Sequence, residues 1–230
     1  MVGAMREVTD FLAELCDNNE RGWFEAHRKA YLRAKEVFES FVTELIEGIA
    51  SFDHCVAGLT VRDCTYRIYR DTRFSPDKTP YKNYMGAYVA PRGKKSGYAG
   101  YYFHVEPGGA RQAGHSLLSA GLYCPDPLVL RSVREEVADH GAEIAAAIDA
   151  AAGFRIYEGN RLRRLPAGFV AGTPYDELLK LKDFYIERPM DGEFLCSDKL
   201  LESTVAAFRT TEPLVSRLNR AVKYAFEEMR

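Results

Sequence analysis

Residues 66–82 carry the side chains that best suit ligand binding or catalysis, and their sequence is YRIYRDTRFSPDKTPYK. In the wider window 61–105, nine basic residues stand against three acidic ones, although the whole chain has a formal net charge of −2. Eight of the fourteen tyrosines also lie in this window. Interleaved cations and aromatic rings suit the binding of phosphates, carboxylates or stacked bases. The predicted ligand-binding residues are Arg67, Arg70, Arg73, Lys78, Tyr81 and Lys82.

The arginines in this segment favour a phosphorylated or otherwise anionic small ligand. A planar guanidinium makes paired hydrogen bonds to phosphate or carboxylate that lysine cannot make. If residues 65–69 form a strand, Arg67 points to one face of the sheet, and a turn beyond it brings Arg73 and Lys78 alongside. This hypothesis predicts that the substitution Arg73→Ala abolishes ligand binding.

Three other interpretations of the same residues stay open. Asp71 and Asp77 lie close enough in sequence to pair with neighbouring cations, so that the segment would only hold a loop in an interaction or scaffold domain. Together with the basic loop 91–97, the segment would suit single-stranded nucleic acid, a weaker alternative. The third interpretation is an enzyme acting on a phosphorylated substrate, with His104 or Asp71 as the candidate acid or base.

Familiar catalytic and metal-binding patterns are missing from the sequence. It contains no GxxxxGK[ST] phosphate loop, no GxGxxG, no HExxH and no GxSxG. Asp77 directly adjoins Lys78, which differs from the carboxylate spacing of metal-dependent nucleases. The five cysteines are odd in number and form no CxxC pair, which is typical of reduced thiols in a cytosolic protein. We therefore predict no metal site and no cofactor.

The composition is that of an ordinary soluble globular protein, with 47% hydrophobic and 28% charged residues. A sequence pI near 6.2 argues against a protein that coats nucleic acid over its whole surface. No apolar run approaches the roughly 20 residues that span a bilayer, and the N-terminus lacks a signal-peptide pattern. The sequence predicts a cytoplasmic location without membrane contact, and it does not indicate an oligomeric state.

The order of the predicted elements indicates a single α+β domain over residues 1–230. Helical periodicity predicts helices over residues 5–16 and 20–49, with an N-cap from Asp17-Asn18-Asn19 between them. Short aromatic and β-branched runs separated by Pro and Gly predict an antiparallel β-sheet over about residues 59–124. The remaining predicted elements are helices at 126–152, 173–181, 197–209 and from 213, a small strand at 154–157 and an edge strand at 184–186.

Longer stretches of the sequence resemble a known family. RIYRDTRFSPDKTPYK resembles the RIYRDxRFSxDKxPYK signature of an uncharacterised domain-of-unknown-function family, a conserved hypothetical protein of many bacteria and of fungi. Other matching stretches are FLAELCDNNERGWFEAHRKAY, GYYFHVEPGG, GLYCPDPLVLRSVRE, RLRRLPAGF and YDELLKLKDF. The resemblance spans about residues 9–220 and implies a single α+β domain, but it implies no activity. Pro76 stands where the family pattern often has Lys, which removes one positive charge, and Gly22 interrupts an NNxREWF-like start.

Overall fold

An antiparallel β-sheet of five strands forms the centre of the fold. The computed structural model describes residues 4–110 and 112–229 of the chain. The strands are β1 (Met85–Val89), β2 (Gly100–Val105), β3 (Ser116–Leu122), β4 (Arg155–Ile156) and β5 (Phe184–Met190). Their order in space is β1-β2-β3-β5-β4, and each strand is antiparallel to its neighbours. This order places β2 and β3 next to each other inside the sheet.

Helices precede the sheet, separate its strands and follow it. They are α1 (Ala4–Asp17), α2 (Arg21–Ala26), α3 (Arg28–Ala50), α4 (Val61–Cys64), α5 (Pro127–Ala150), α6 (Asp176–Leu179), α7 (Gly192–Cys196) and α8 (Leu200–Glu228). A 3-10 turn, His54–Val56, follows α3. In the described part of the chain, no helix combines the length and apolar character needed to cross a membrane.

The long helices cover one face of the sheet. Side chains along a strand alternate between its two faces, and β2 sends Tyr101 and Phe103 towards the helices. The Phe103 ring lies 4.7 Å from the ring of Phe41 in α3, and the Tyr101 ring lies 5.5 Å from Phe208 in α8. His104 points to the opposite face. The architecture is the α+β fold that the sequence predicts.

The prediction of strands over residues 59–69 is wrong. Val61–Cys64 forms the helical turn α4, and the residues after it make only isolated bridges. The cause is local, because the Asp63 carboxylate accepts hydrogen bonds from the Thr60 backbone N–H at 2.9 Å and from its hydroxyl at 2.7 Å. These contacts stabilise the first turn of a helix. They outweigh the β-branched composition on which the strand prediction rests.

The strand predicted at residues 184–186 is longer than expected and is not the edge of the sheet. β5 pairs with β3 on one side and with the short β4 on the other, so β4 and not β5 forms this edge of the sheet. The sheet therefore includes strands beyond residues 59–124. The pairing of β3 with β5 joins residues as distant in sequence as Ser116 and Met190. Periodicity within one segment does not encode a contact of that range.

The helix predicted over residues 20–49 is divided into α2 and α3 at His27. The His27 ring stacks on the Trp23 indole, with ring centroids 4.0 Å apart. The predicted cap also differs, because Glu20 is the N-cap of α2 and no side chain caps that end. Asn19 instead exchanges hydrogen bonds with the Tyr81 backbone, donating to its carbonyl at 3.0 Å and accepting from its N–H at 3.1 Å. It thereby joins the N-terminal helices to the basic segment.

The two C-terminal helices predicted on either side of Pro213 form one continuous helix, α8. Proline inside a helix removes a backbone hydrogen bond and costs about 3 kcal/mol. Leu214 and Leu218 follow it on the buried face of α8. Burial of one such side chain stabilises by about 1.5–3 kcal/mol. Packing therefore compensates for the local penalty, and the helix continues through Pro213.

Candidate functional site

A cleft of about 590 Å³ opens between the C-terminal end of α1, the segment 70–84 and the loop that follows β2. Its lining residues are Cys16, Asn19, Arg70, Asp71, Asp77, Thr79, Tyr81, Lys82, Asn83, Tyr84, Gly109, Ala110 and Gln112. The basic segment therefore forms one wall of a cleft whose other walls come from distant parts of the sequence.

The structure brings only part of the predicted set into this cleft. The predicted residues that line it are Arg70, Asp71, Tyr81 and Lys82. The predicted residues that do not line it are Arg67, Arg73, Lys78 and His104. The contacts that each of these side chains makes decide which of them is available to a ligand.

Arg70 is bound to its own loop. Its Nη1 donates hydrogen bonds to the Asp77 carboxylate at 2.8 Å, to the Thr79 carbonyl at 3.0 Å and to the Thr79 hydroxyl. Asp77 also accepts from the Thr79 N–H at 2.9 Å. Hydrogen bonds from Thr79 and then from Arg70 lower the pKa of Asp77 to about 2. These contacts fasten the loop of residues 70–79 and agree with the interpretation that the charges hold a loop.

Arg73 and Lys78 bind the same loop at the protein surface. Nε and Nη2 of Arg73 donate to the two Asp71 oxygens at 2.9 and 2.6 Å, although the Arg73 side chain is 76% exposed. Hydrogen bonds from Arg73 lower the pKa of Asp71 to about 2, so this carboxylate has no proton to donate near neutral pH. Lys78 Nζ donates to the Thr72 carbonyl at 2.9 Å. Both cations already have acceptors and lie outside the cleft.

Lys82 differs from these cations because its ammonium group has no hydrogen-bond acceptor and no carboxylate partner among residues 4–110 and 112–229. The side chain is half-buried, and Nζ lies 5.4 Å from the centroid of the Tyr66 ring and 5.6 Å from that of Tyr84. Both distances approach the limit of about 6 Å for a cation–π contact, so the rings stabilise the charge only weakly. Burial, and then the positive charge of Arg67, lower the pKa of Lys82.

Arg67 also has no hydrogen-bond acceptor and no carboxylate partner in the described part of the chain. Its side chain is exposed. Its charge lowers the pKa of both Lys82 and Asp71, which shows that the guanidinium lies near both groups. Arg67 therefore adds a second positive charge in the neighbourhood of Lys82, although it does not line the cleft.

Tyr81 has a mainly structural position although it lines the cleft. It is buried, and its ring stacks on Phe24 with centroids 3.9 Å apart. Asn19 holds its backbone on both sides. Most of the Tyr81 ring therefore packs against the protein. The held backbone of Tyr81 positions the next residue, Lys82.

His104 lies behind the cleft and is 2% exposed. Its Nδ1 is 2.9 Å from the Tyr102 hydroxyl, and its Nε2 is 3.0 Å from the Glu106 carboxylate. The ring of Tyr84, which lines the cleft, lies against the His104 ring at 4.9 Å. Because both ring nitrogens are occupied and the ring is buried, the arrangement does not favour direct acid–base contact between His104 and a ligand.

Glu106 is a buried carboxylate that holds the other wall of the cleft. It accepts hydrogen bonds from the backbone N–H groups of Gln112 at 2.8 Å, Ala113 at 2.7 Å and Gly114 at 3.1 Å. Burial acts to raise the pKa of Glu106, but hydrogen bonds from His104 and from the backbone outweigh it and lower the pKa. The ionised carboxylate therefore anchors the loop that contributes Gln112 to the cleft.

Sequence reasoning missed several residues of the cleft. They are Cys16, Asn19, Asn83, Tyr84 and Gln112. Tyr84 lies in the tyrosine-rich window, so the same compositional signal points to it. Cys16 and Asn19 come from the N-terminal helices, and no local pattern links them to a segment about 60 residues further on. Burial raises the pKa of the Cys16 thiol, which keeps it protonated.

A metal site has no visible basis in the described residues. Among residues 4–110 and 112–229, no group of three or more His, Cys, Asp and Glu side chains is placed to hold a metal ion. The two carboxylates that line the cleft, Asp71 and Asp77, are each hydrogen-bonded to an arginine.

Comparison with known proteins identifies a family. The family model described as conserved hypothetical protein (DUF2461) matches residues 7–216, which is most of the chain. No curated protein and no solved structure matches the chain. The chain therefore belongs to the DUF2461 family of conserved hypothetical proteins.

Proposed function

We propose that this member of the DUF2461 family binds a small anionic ligand, such as a phosphorylated metabolite, in the cleft beside Lys82. The observation that carries the proposal is the difference between Lys82, which lines the cleft, and the three cations of the loop 70–79. Arg70, Arg73 and Lys78 donate to acceptors of their own loop, whereas Lys82 has no acceptor in the described part of the chain. A half-buried ammonium group without an acceptor is stabilised more by a bound anion than a cation that already has acceptors.

The charge of the cleft lining supports the same proposal. Asp77 is neutralised by Arg70, and Asp71 by Arg73, at distances of 2.8 and 2.6 Å. Lys82 therefore remains as an uncompensated positive charge among the described lining residues. Arg67 adds a second one nearby, and its planar fork suits paired hydrogen bonds to phosphate or carboxylate.

The size of the cleft fits a small molecule. Its volume of about 590 Å³ falls within the range of about 300–1,000 Å³ that is usual for ligand pockets. The wall residues Asn83 and Gln112 carry amide side chains, which hydrogen-bond neutral oxygen groups. An anionic group next to Lys82 with a polar body beside it is therefore the ligand chemistry that the cleft favours.

Titration calorimetry with inorganic phosphate and with sugar phosphates tests the proposal. We expect Lys82→Met, which keeps the length of the side chain and removes its charge, to weaken binding at least about tenfold, equivalent to about 1.4 kcal/mol. Arg73→Ala is the matched control, because Arg73 is paired and outside the cleft, and its affinity should stay within about twofold of the unchanged protein. Equal affinities for the unchanged protein and Lys82→Met would contradict the proposal.

Single-stranded nucleic acid is a second candidate ligand, which one observation favours. The Tyr66 ring is 42% exposed and has Lys82 at 5.4 Å and Lys94 at 6.0 Å from its centroid. An exposed ring flanked by cations is a stacking platform for a base. Binding would weaken with salt with a slope of about 0.7 per neutralised phosphate on logarithmic axes. A flat salt response for a short oligonucleotide would eliminate this candidate.

A further inference from the structure

We propose that Lys82 is a nucleophilic amine that forms an imine with an aldehyde or ketone ligand carrying an anionic group. This proposal rests on the proposed function for the anionic group, which Arg67 would hold. The imine itself requires only that the carbonyl carbon reaches Nζ of Lys82 in the cleft.

Lys82 differs from the lysines of this structure that form ion pairs with carboxylates. Lys35 pairs with Glu39 at 3.1 Å, and Lys180 pairs with Glu177 at 2.6 Å. Such carboxylates stabilise the protonated ammonium form, which has no lone pair for attack. Lys82 has no carboxylate of this kind in residues 4–110 and 112–229, and its neighbours are two aromatic rings.

Electrostatics support the same role. Burial disfavours the charged form of Lys82, and the charge of Arg67 repels it, so both lower the pKa of the amine. A lowered pKa increases the fraction of neutral amine near neutral pH. Desolvation and a neighbouring cation are the two means by which proteins activate lysine as a nucleophile.

The reaction needs no further reagent. The lone pair of neutral Nζ attacks the carbonyl carbon and forms a C–N bond, while the carbonyl π bond opens to give a carbinolamine. Loss of the oxygen as water then forms the C=N bond. The two hydrogens of that water balance the two that leave Nζ, so the amine and the carbonyl compound give one imine and one water. Asp71 and Asp77 have pKa values of about 2, so both are ionised near neutral pH and have no proton to donate to the carbonyl oxygen.

Reductive trapping tests the proposal directly. The protein is incubated with pyridoxal 5′-phosphate, reduced with sodium borohydride and digested, and the labelled lysines are quantified by mass spectrometry. We expect Lys82 to be labelled at least about tenfold faster than Lys35, and inorganic phosphate to slow its labelling. Labelling spread evenly over the lysines, with Lys82 no faster than Lys35, would overturn the proposal.

Two controls separate this proposal from the proposed function. Phosphate binding is measured on the unchanged protein by titration calorimetry, and Lys82→Arg, which cannot form an imine, should lose the label at position 82. If phosphate binds but Lys82 is not labelled after reduction, the imine proposal is wrong and the anion site stands. If pyridoxal without phosphate labels Lys82 as fast as pyridoxal 5′-phosphate does, the imine proposal stands and the anion site is wrong.

Discussion

The two loops that flank the cleft are held in place by different means. Residues 70–79 are held by ion pairs at or near the surface, such as that between Arg73 and Asp71. Residues 107–110 and 112–115 are held by Glu106, a buried carboxylate that accepts three backbone N–H bonds from the loop. An exposed pair that opens is rehydrated by water, whereas a buried carboxylate that loses its donors is left without partners. The loop with more charges is therefore the less firmly held one.

This comparison also explains why Lys82 is the candidate ligand contact. In the loop 70–79 the cations Arg70, Arg73 and Lys78 are already bound to acceptors of the loop. At the other wall, Glu106 is already bound to backbone donors and to His104. Lys82 lies between two walls whose own charges are satisfied. For that reason we place the candidate site by the lining cation that has no acceptor, and not by the number of charges in the segment.

The largest expected effect is the loss of the buried anchor. Glu106→Gln removes the charge and turns one acceptor oxygen into a donor that faces backbone N–H groups. We expect the free energy of unfolding, measured by urea denaturation, to fall by about 3 kcal/mol or more. Glu187→Gln is the control, because burial raises the pKa of half-buried Glu187 and the neutral isostere should change stability by less than about 1 kcal/mol. Equal effects of the two substitutions would show that Glu106 is not a special anchor.

A smaller effect is expected from the surface loop. Arg70→Ala removes hydrogen bonds to Asp77 and to Thr79, and the Arg70 side chain is 25% exposed. Hydrogen bonds to charged groups contribute about 1.5–3 kcal/mol, so we expect a loss of about 2 kcal/mol. Arg73→Ala breaks a largely exposed pair and should change stability by less than about 1 kcal/mol. If Arg73→Ala were the more destabilising of the two, the ranking of the loop contacts by burial would be wrong.

The smallest expected effect is a pH dependence of the loop 70–79. The pKa of Asp77 is about 2 in the folded protein, below the unfolded value of about 3.9. Because the folded pKa is depressed, its contribution to stability is present above about pH 4 and is lost as the pH falls towards 2. The stability difference between the unchanged protein and Asp77→Asn should therefore shrink over this range. A difference that stays constant from pH 5 to pH 2.5 would contradict the low pKa.

The fold was predictable where one segment carries its own signal. β1, β2 and β3 follow the alternating runs in residues 84–123, and α5 begins where Asp126 accepts a hydrogen bond from the Leu128 N–H at 2.9 Å. Predictions failed where a distant contact outweighs a local preference. Pro213 should end a helix, but the buried leucines after it keep α8 continuous. Asn19 should cap a helix, but its amide binds the backbone of Tyr81.

The candidate site was predictable as a region and not as a set of contacts. The sequence by itself determined the family, the α+β class and the concentration of cations and tyrosines in residues 66–82, because composition and periodicity are local properties. Only the tertiary structure decided which cations of the segment are already bound and which lack a partner. A hydrogen bond depends on distance and direction in space, and these are fixed by Asn19, Glu106 and the sheet, which lie outside the segment. For that reason Lys82 is distinguishable from Arg73 in the folded chain and not in the sequence.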